Sequence, residues 1–180
     1  MSPRILTFGI LAMPGVVFHE LGHHLFCLLT GVRVYHVVYF RFGNPAGFVV
    51  HATPRRFRDH FAIVVGPFIL NSIVSFLLFL SVDGKWTRST LTATAMPTQI
   101  LILTAVATWL GLSVALQAFP STGDARGLWH VTNQHVRRGN LLAIVGYPMV
   151  ALIYLMNLLR RLWLDWIYAL ALLILSAVAL

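Results

Sequence analysis

His19 and His23 stand four residues apart in the segment FHELGHHLF, residues 18–26, and Glu20 directly follows the first of them. On a helix, residues i and i+4 share a face one turn apart, so both imidazoles reach toward the same point. Glu20, neighbour to the first histidine, can hydrogen-bond a water held at that point and take its proton. This is the chemistry of the HExxH arrangement, in which two nitrogen ligands hold one metal ion and a carboxylate acts as general base. Imidazole ligands suit zinc, whose bonds to nitrogen are about 2.0–2.1 Å and which brings the pKa of its water towards about 7. Glu20 is the sole glutamate in the chain, and it is placed inside an apolar run. A metal-free pair of packing histidines is the plainer alternative, but three polar groups within such a run need partners.

A catalytic zinc ion takes a third protein ligand and keeps one position open. Cys27 lies eight residues beyond His19, about 12 Å along a helix. One ion cannot bridge that distance, so Cys27 is expected to pack as an apolar residue. His24 points about 100° away from His23 and reaches the outer layer of the site at best. The remaining candidates are Asp124, His51, His60, His130 and His135. Asp124 stands out because it follows the third long apolar stretch, in FPSTGDARG. Pro120 and Gly123 there break a helix and let the backbone turn inward.

The elements that must position these groups are apolar. Of 180 residues, 58% are hydrophobic and 10% charged, and the mean hydropathy is +0.81. A soluble domain carries about 25% charged residues, so this chain lacks the polar groups to coat a water-facing surface. The expected class is an all-α polytopic membrane bundle without a separate soluble domain. A single cysteine excludes an internal disulfide framework and a thiolate zinc cluster. The formal charge of +8 falls in the gaps between apolar runs. That is the pattern of loops at a lipid headgroup surface, and no nucleic-acid motif accompanies it. Arg4 followed by ILTFGILAM imitates a signal peptide, but the apolar run continues to about Thr30 without a small-residue cleavage site.

Five stretches approach the roughly 20 apolar residues that cross a bilayer as helix: about Ile5–Thr30, Phe61–Val82, Thr98–Phe119, Leu141–Leu159 and Leu162–Leu180. Only Arg160-Arg161 separates the last two, which form either a tight hairpin or one long, bent element. The expectation is five spans within a range of four to six. Between the first and second, VRVYHVVYF and FVVHA flank the turn residues GNPAG, which predicts a short β-hairpin. Residues 81–99 are expected to be a polar linker, and PSTGDARGLWHVTNQHVRRGN a second loop. With five alternating spans, Arg33, Arg41, Arg55, Arg56, Arg58, Arg126, Arg137 and Arg138 fall on one side. Arg4, Lys85, Arg88, Arg160 and Arg161 fall on the other. The bias leans the loops after the first and third spans toward the cytoplasm.

FHELGHHL in a first span, a β-like stretch ending in AGFVV, GPFILN in the next span and FPSTGDA after the third resemble the site-2 protease family of intramembrane zinc metalloproteases. The match runs from about Val16 to Arg126. It implies a catalytic core over residues 1–126, followed at 127–180 by a loop and two spans that carry no alignable motif. It also implies that His19, His23 and Asp124 bind one zinc ion per chain and that Glu20 is the base. Three features depart from the family. The aspartate stands in Gly123-Asp124-Ala125 where relatives have an Asp-Gly pair. GPFILN has one residue more than the family's Gly-Pro-x-x-Asn, whose asparagine binds substrate or the oxyanion. That extra residue turns Asn71 by about 100°, so a helix–helix hydrogen bond is its alternative role. Finally, the chain has no room for the PDZ domain that many relatives use to filter substrates.

The resemblance implies hydrolysis of a peptide bond in or near a transmembrane segment of another membrane protein, the shielded helical bond becoming accessible only after local unwinding. The stretch from Val34 to Ala52 offers an edge to which an unwound substrate could add as a strand; a re-entrant plug is its plainer role. Two other classes are open at this point. His19, His23 and His24 also form an H-x-x-x-H-H box of the kind found in membrane di-iron desaturases and hydroxylases, which need several such boxes. A catalytically inactive scaffold that binds membrane proteins is the other. Oligomeric state is not legible, and the expected location is the cell membrane.

Overall fold

Long apolar runs without interior charge satisfy their own backbone polar groups only as helix, and helices dominate the fold. The computed structural model describes the backbone of residues 3–92 and 97–179, with side chains for 11–82 and 97–179. Helix α1 spans Pro3–Leu29 and leads into a hairpin of β1 (Val34–Val38) and β2 (Phe48–His51). Then follow α2 (Phe57–Thr92), α3 (Thr98–Leu116) and α4 (Thr122–Arg137). A 3-10 turn at Leu141–Val145 enters α5 (Gly146–Leu159), and a second at Arg160–Leu162 leads to α6 (Leu164–Val178).

Three described segments are long and apolar enough to cross a membrane: Phe57–Val82, Thr98–Leu116 and Leu141–Leu162. Helix α6 has 15 residues, about 22 Å of helix against about 30 Å of hydrocarbon. The expected β-hairpin is present. Its strands are antiparallel, pairing His36 with Val50 and Val38 with Phe48, with an irregularity between Val34 and His36.

Several boundaries differ from the sequence expectation. The linker expected at 81–99 is helical as far as Thr92; its residues 93–96 lie outside the described residues. The loop expected after the third span is mostly the helix α4. Ser121 caps it, accepting from the Asp124 N–H while the Asp124 side chain accepts from the Ser121 N–H, so a reciprocal capping box starts the helix despite Gly123. Ala125, Leu128 and Val131 then repeat at helical spacing and pack into a core with Phe57 and Val64 of α2 and Val150 and Ile153 of α5.

The five-span alternation also fails at Arg160. Its Nη2 donates to the Leu116 carbonyl, 3.2 Å away, so this arginine stands at the same end of α3 as Asp124. Helix α5 runs antiparallel to α4, with Tyr147 bonded to Asn133 at one end and Asn157 to the Pro120 carbonyl at the other. The chain then turns at Trp163, whose φ is 66°.

Helices α1, α2 and α3 pack against one another in all three pairings. Small residues allow the close approach that membrane helices rely on. The Gly15 N–H donates to Ser113 Oγ of α3 at 3.0 Å. A Cβ on Gly22 would lie 2.6 Å from the Pro67 Cα of α2, closer than any relaxation of side chains alone can accommodate. Gly22→Ala is therefore expected to destabilise the folded chain by about 1–3 kcal/mol, the cost of overpacking. Thermal unfolding of the detergent-solubilised protein measures it, and an unchanged midpoint would show that α1 and α2 are not in this register.

Candidate metal centre

His19, Glu20 and His23 lie on the middle turns of α1, where α2, α3 and α4 converge. All three are buried. The His19 Nδ1 is 2.7 Å from the Gln117 carbonyl just beyond α3, and the His23 Nδ1 is 2.9 Å from the Ile63 carbonyl of α2. A carbonyl oxygen only accepts, so each Nδ1 carries the hydrogen, and each ring in its neutral form presents a lone pair at Nε2. Both Nε2 atoms face Asp124. His23 Nε2 is 3.3 Å from Oδ1 and His19 Nε2 is 3.8 Å from Oδ2.

Asp124 is held from its own helix. Its Oδ2 accepts from the Ser121 N–H and hydroxyl, each at 2.7 Å, which leaves Oδ1 as the less committed oxygen. Burial by itself raises the Asp124 pKa. Positive charge on His23, with hydrogen bonds from the His19 and His23 rings, outweighs that and holds the carboxyl well below the usual carboxylate range, so it is present as an anion.

One nitrogen from each histidine and one Asp124 oxygen lie within 4.8 Å of one another, and this is the only such cluster among the described residues. Tetrahedral zinc with bonds near 2.1 Å has ligand atoms about 3.4 Å apart; closing the widest pair takes roughly an ångström. The donor set is two neutral imidazoles and a carboxylate, each oriented by a hydrogen bond to its other side, the support that metal ligands characteristically have. The residues fit a divalent ion of the zinc type.

The hairpin covers this centre. A hollow of about 470 Å³ is lined by His19, Glu20, His23 and Asp124 together with Gly47 and Phe48 of the hairpin. A Cβ on Gly47 would lie 2.6 Å from the Glu20 Cγ, so the second glycine of GNPAG allows the turn to rest on Glu20. His24 bonds the Tyr39 hydroxyl at 2.6 Å, tying α1 to the hairpin from outside the cluster.

Of the other third-ligand candidates, His51 and His60 line the hollow but stand outside the cluster. His130 is exposed on α4, and His135 is buried against the Phe57 ring. Cys27 is fully buried and free. Sequence reasoning missed Gln117 and Ile63, which act through main-chain carbonyls and leave no side-chain signal. It also missed Arg160, which reaches the hollow from the chain's last third.

Asn71 is placed for the helix–helix role. It is fully buried, and its Nδ2 donates to the Val114 and Gln117 carbonyls at 3.2 and 3.0 Å. The Gln117 carbonyl thus receives both His19 and Asn71. No family model, curated protein or solved structure matches the chain, so the site stands on its own geometry.

Asn71→Leu removes a donor from two buried carbonyls, which costs about 1–3 kcal/mol. It is expected to lower the unfolding midpoint. A variant of wild-type stability that had lost only substrate affinity would instead make Asn71 a substrate ligand.

Proposed function

We propose that the chain is an intramembrane zinc metallopeptidase of the site-2 protease type, with α1, α2 and α3 as its membrane-crossing core. The observation that carries this reading is the pair of histidines whose Nδ1 atoms are tied to main-chain carbonyls while both Nε2 atoms converge on Asp124. His19, His23 and Asp124 would hold the ion. Bound zinc supplies Lewis acidity to the hollow.

The remaining steps belong to the protein's own groups. Glu20, held under Gly47 on the wall of the hollow, takes the proton of the attacking water as its oxygen bonds to the scissile carbonyl carbon. It then delivers that proton to the nitrogen as the C–N bond breaks. The unpaired edges of the hairpin offer main-chain hydrogen bonds to an extended substrate segment, and Phe48 and Val49 of β2 line the same hollow as Glu20. The substrate class is the locally unwound segment of another membrane protein. Arg126, Arg137 and Arg138 lie along α4 beyond Asp124, and the loops after the first and third spans lean toward the cytoplasm of a cell membrane.

The di-iron alternative has less to stand on. Its boxes need further histidines within ligand reach of the same centre, whereas His51 and His60 line the hollow but stand outside the cluster, His36 lies on β1, His130 is exposed on α4 and His135 packs against Phe57. An inactive scaffold leaves the burial of Glu20 in the hollow without a purpose.

Metal analysis of the purified protein comes first. One zinc per chain is expected in the wild type and in Glu20→Gln, with loss in Asp124→Ala. Glu20→Gln should also reduce cleavage of single-span membrane peptides by about 10²–10⁴-fold, the usual contribution of a general base. Two irons per chain, or a Glu20→Gln variant that cuts at the wild-type rate, would sink the assignment.

A further inference from the structure

A second hollow, of about 810 Å³, adjoins the first and is lined by His51, His60, His130, Gln134, Arg137 and Arg138 among others, with no acidic residue in its lining. His51, His60 and Gly127 line both hollows, so the two are contiguous. His60 stands at the junction. It is 7% exposed, and neither of its ring nitrogens makes a well-formed hydrogen bond, although the Gly127 main chain lies beside it. A buried imidazole in that condition is costly until a polar group reaches it.

Other groups of the hollow are also available. The His51 Nδ1 is 2.8 Å from the Ala52 carbonyl, which leaves Nε2 free. Among the described residues neither Arg137 nor Arg138 is in an ion pair. Gly127, His130, Gln134 and Arg137 recur at near-helical spacing and lay one stripe along α4. That stripe begins one turn beyond Asp124. At 1.5 Å per residue, His130 lies about 9 Å and Arg137 about 20 Å along the helix from Asp124. An extended peptide covers about 3.3 Å per residue, so the same distances correspond to about three to six substrate residues.

We propose that the second hollow binds an acidic stretch of the substrate polypeptide, within about six residues of the bond to be cut, with His60 as the buried contact nearest that bond and Arg137 and Arg138 as the outer charges. The proposal rests on the reading of the neighbouring hollow as a peptidase site. It makes α4 a ruler that carries a metal ligand at one end and a charge-reading groove along its length.

The test is binding, without cleavage, of fluorescein-labelled hexaglutamate to the zinc-loaded protein in neutral detergent, with hexaglutamine as control. Hexaglutamate should bind and hexaglutamine should not. Binding should persist in Glu20→Gln, and weaken about tenfold in His60→Gln and in the Arg137→Gln/Arg138→Gln double variant. The double variant alters exposed residues only, so it remains informative if His60→Gln fails to fold. Equal binding of both peptides, or hexaglutamate binding indifferent to these substitutions, overturns the proposal. So does tighter binding of short-chain phosphatidylglycerol dependent on the same residues, which would make the hollow a lipid-headgroup site. Loss of the peptidase reading shows up separately, as absence of cleavage by the wild type with hexaglutamate binding intact.

Discussion

Two hydrogen bonds decide what this bundle can do: His19 to the carbonyl of Gln117 and His23 to that of Ile63. An imidazole on a helix has two faces to offer, and a main-chain acceptor settles which nitrogen carries hydrogen. Once both Nδ1 atoms are spent, both Nε2 lone pairs turn inward on Asp124. Those acceptors come from two other helices, so the packing of α1 against α2 and α3 is part of the chemistry. The close approach at Gly22 and Pro67 sets how far Ile63 stands from His23, and Gly15 with Ser113 sets the end of α3 against His19.

The last third of the chain enters the same arrangement from behind. Asn157 of α5 donates to the Pro120 carbonyl, and Arg160 to that of Leu116 while lying 3.7 Å from Asp165. These contacts bracket residues 116–121, the corner that delivers both the Gln117 carbonyl and the capping serine of Asp124. Helices usually leave their final carbonyls without partners; here the carbonyls at the end of α3 are satisfied by Arg160 and Asn71. A segment with no recognisable motif can thus be required for a site it does not contribute ligands to.

How much of this was legible in the sequence follows from where each interaction is encoded. The His19–Glu20–His23 pattern, the hairpin and the standing of Asp124 as a candidate rest on side-chain identity at short range, and spacing displays them. Helix α4 was legible in part: Ser121 and Asp124 spell a capping box, but two glycines and a run of polar residues favoured a loop. Gln117 and Ile63 were not legible, because any residue supplies a carbonyl and only the fold selects which. Arg160 was misplaced for a related reason. Counting alternating spans treats each apolar run as a straight crossing, whereas α5 runs back along α4 and brings this arginine to the end of α3.

The same geometry bears on whether the cluster is a proton-sharing pair or a metal site. Two neutral imidazoles facing a carboxylate set acceptor against acceptor, which needs a cation between them. Protonating both rings would supply one, and with Glu20 and Asp124 ionised the net charge would close. It would then require each Nε2–H to reach the carboxylate. His23 can do so at 3.3 Å, but His19 stands 3.8 Å from Oδ2, an oxygen already accepting from Ser121 twice. That is beyond hydrogen-bond reach and would leave a buried imidazolium half satisfied. A single divalent ion would balance the same two carboxylates and use both lone pairs at once, with the open oxygen of Asp124 available to complete the set. The length of the His19 contact, a defect in a proton-linked cluster, leaves room for such an ion.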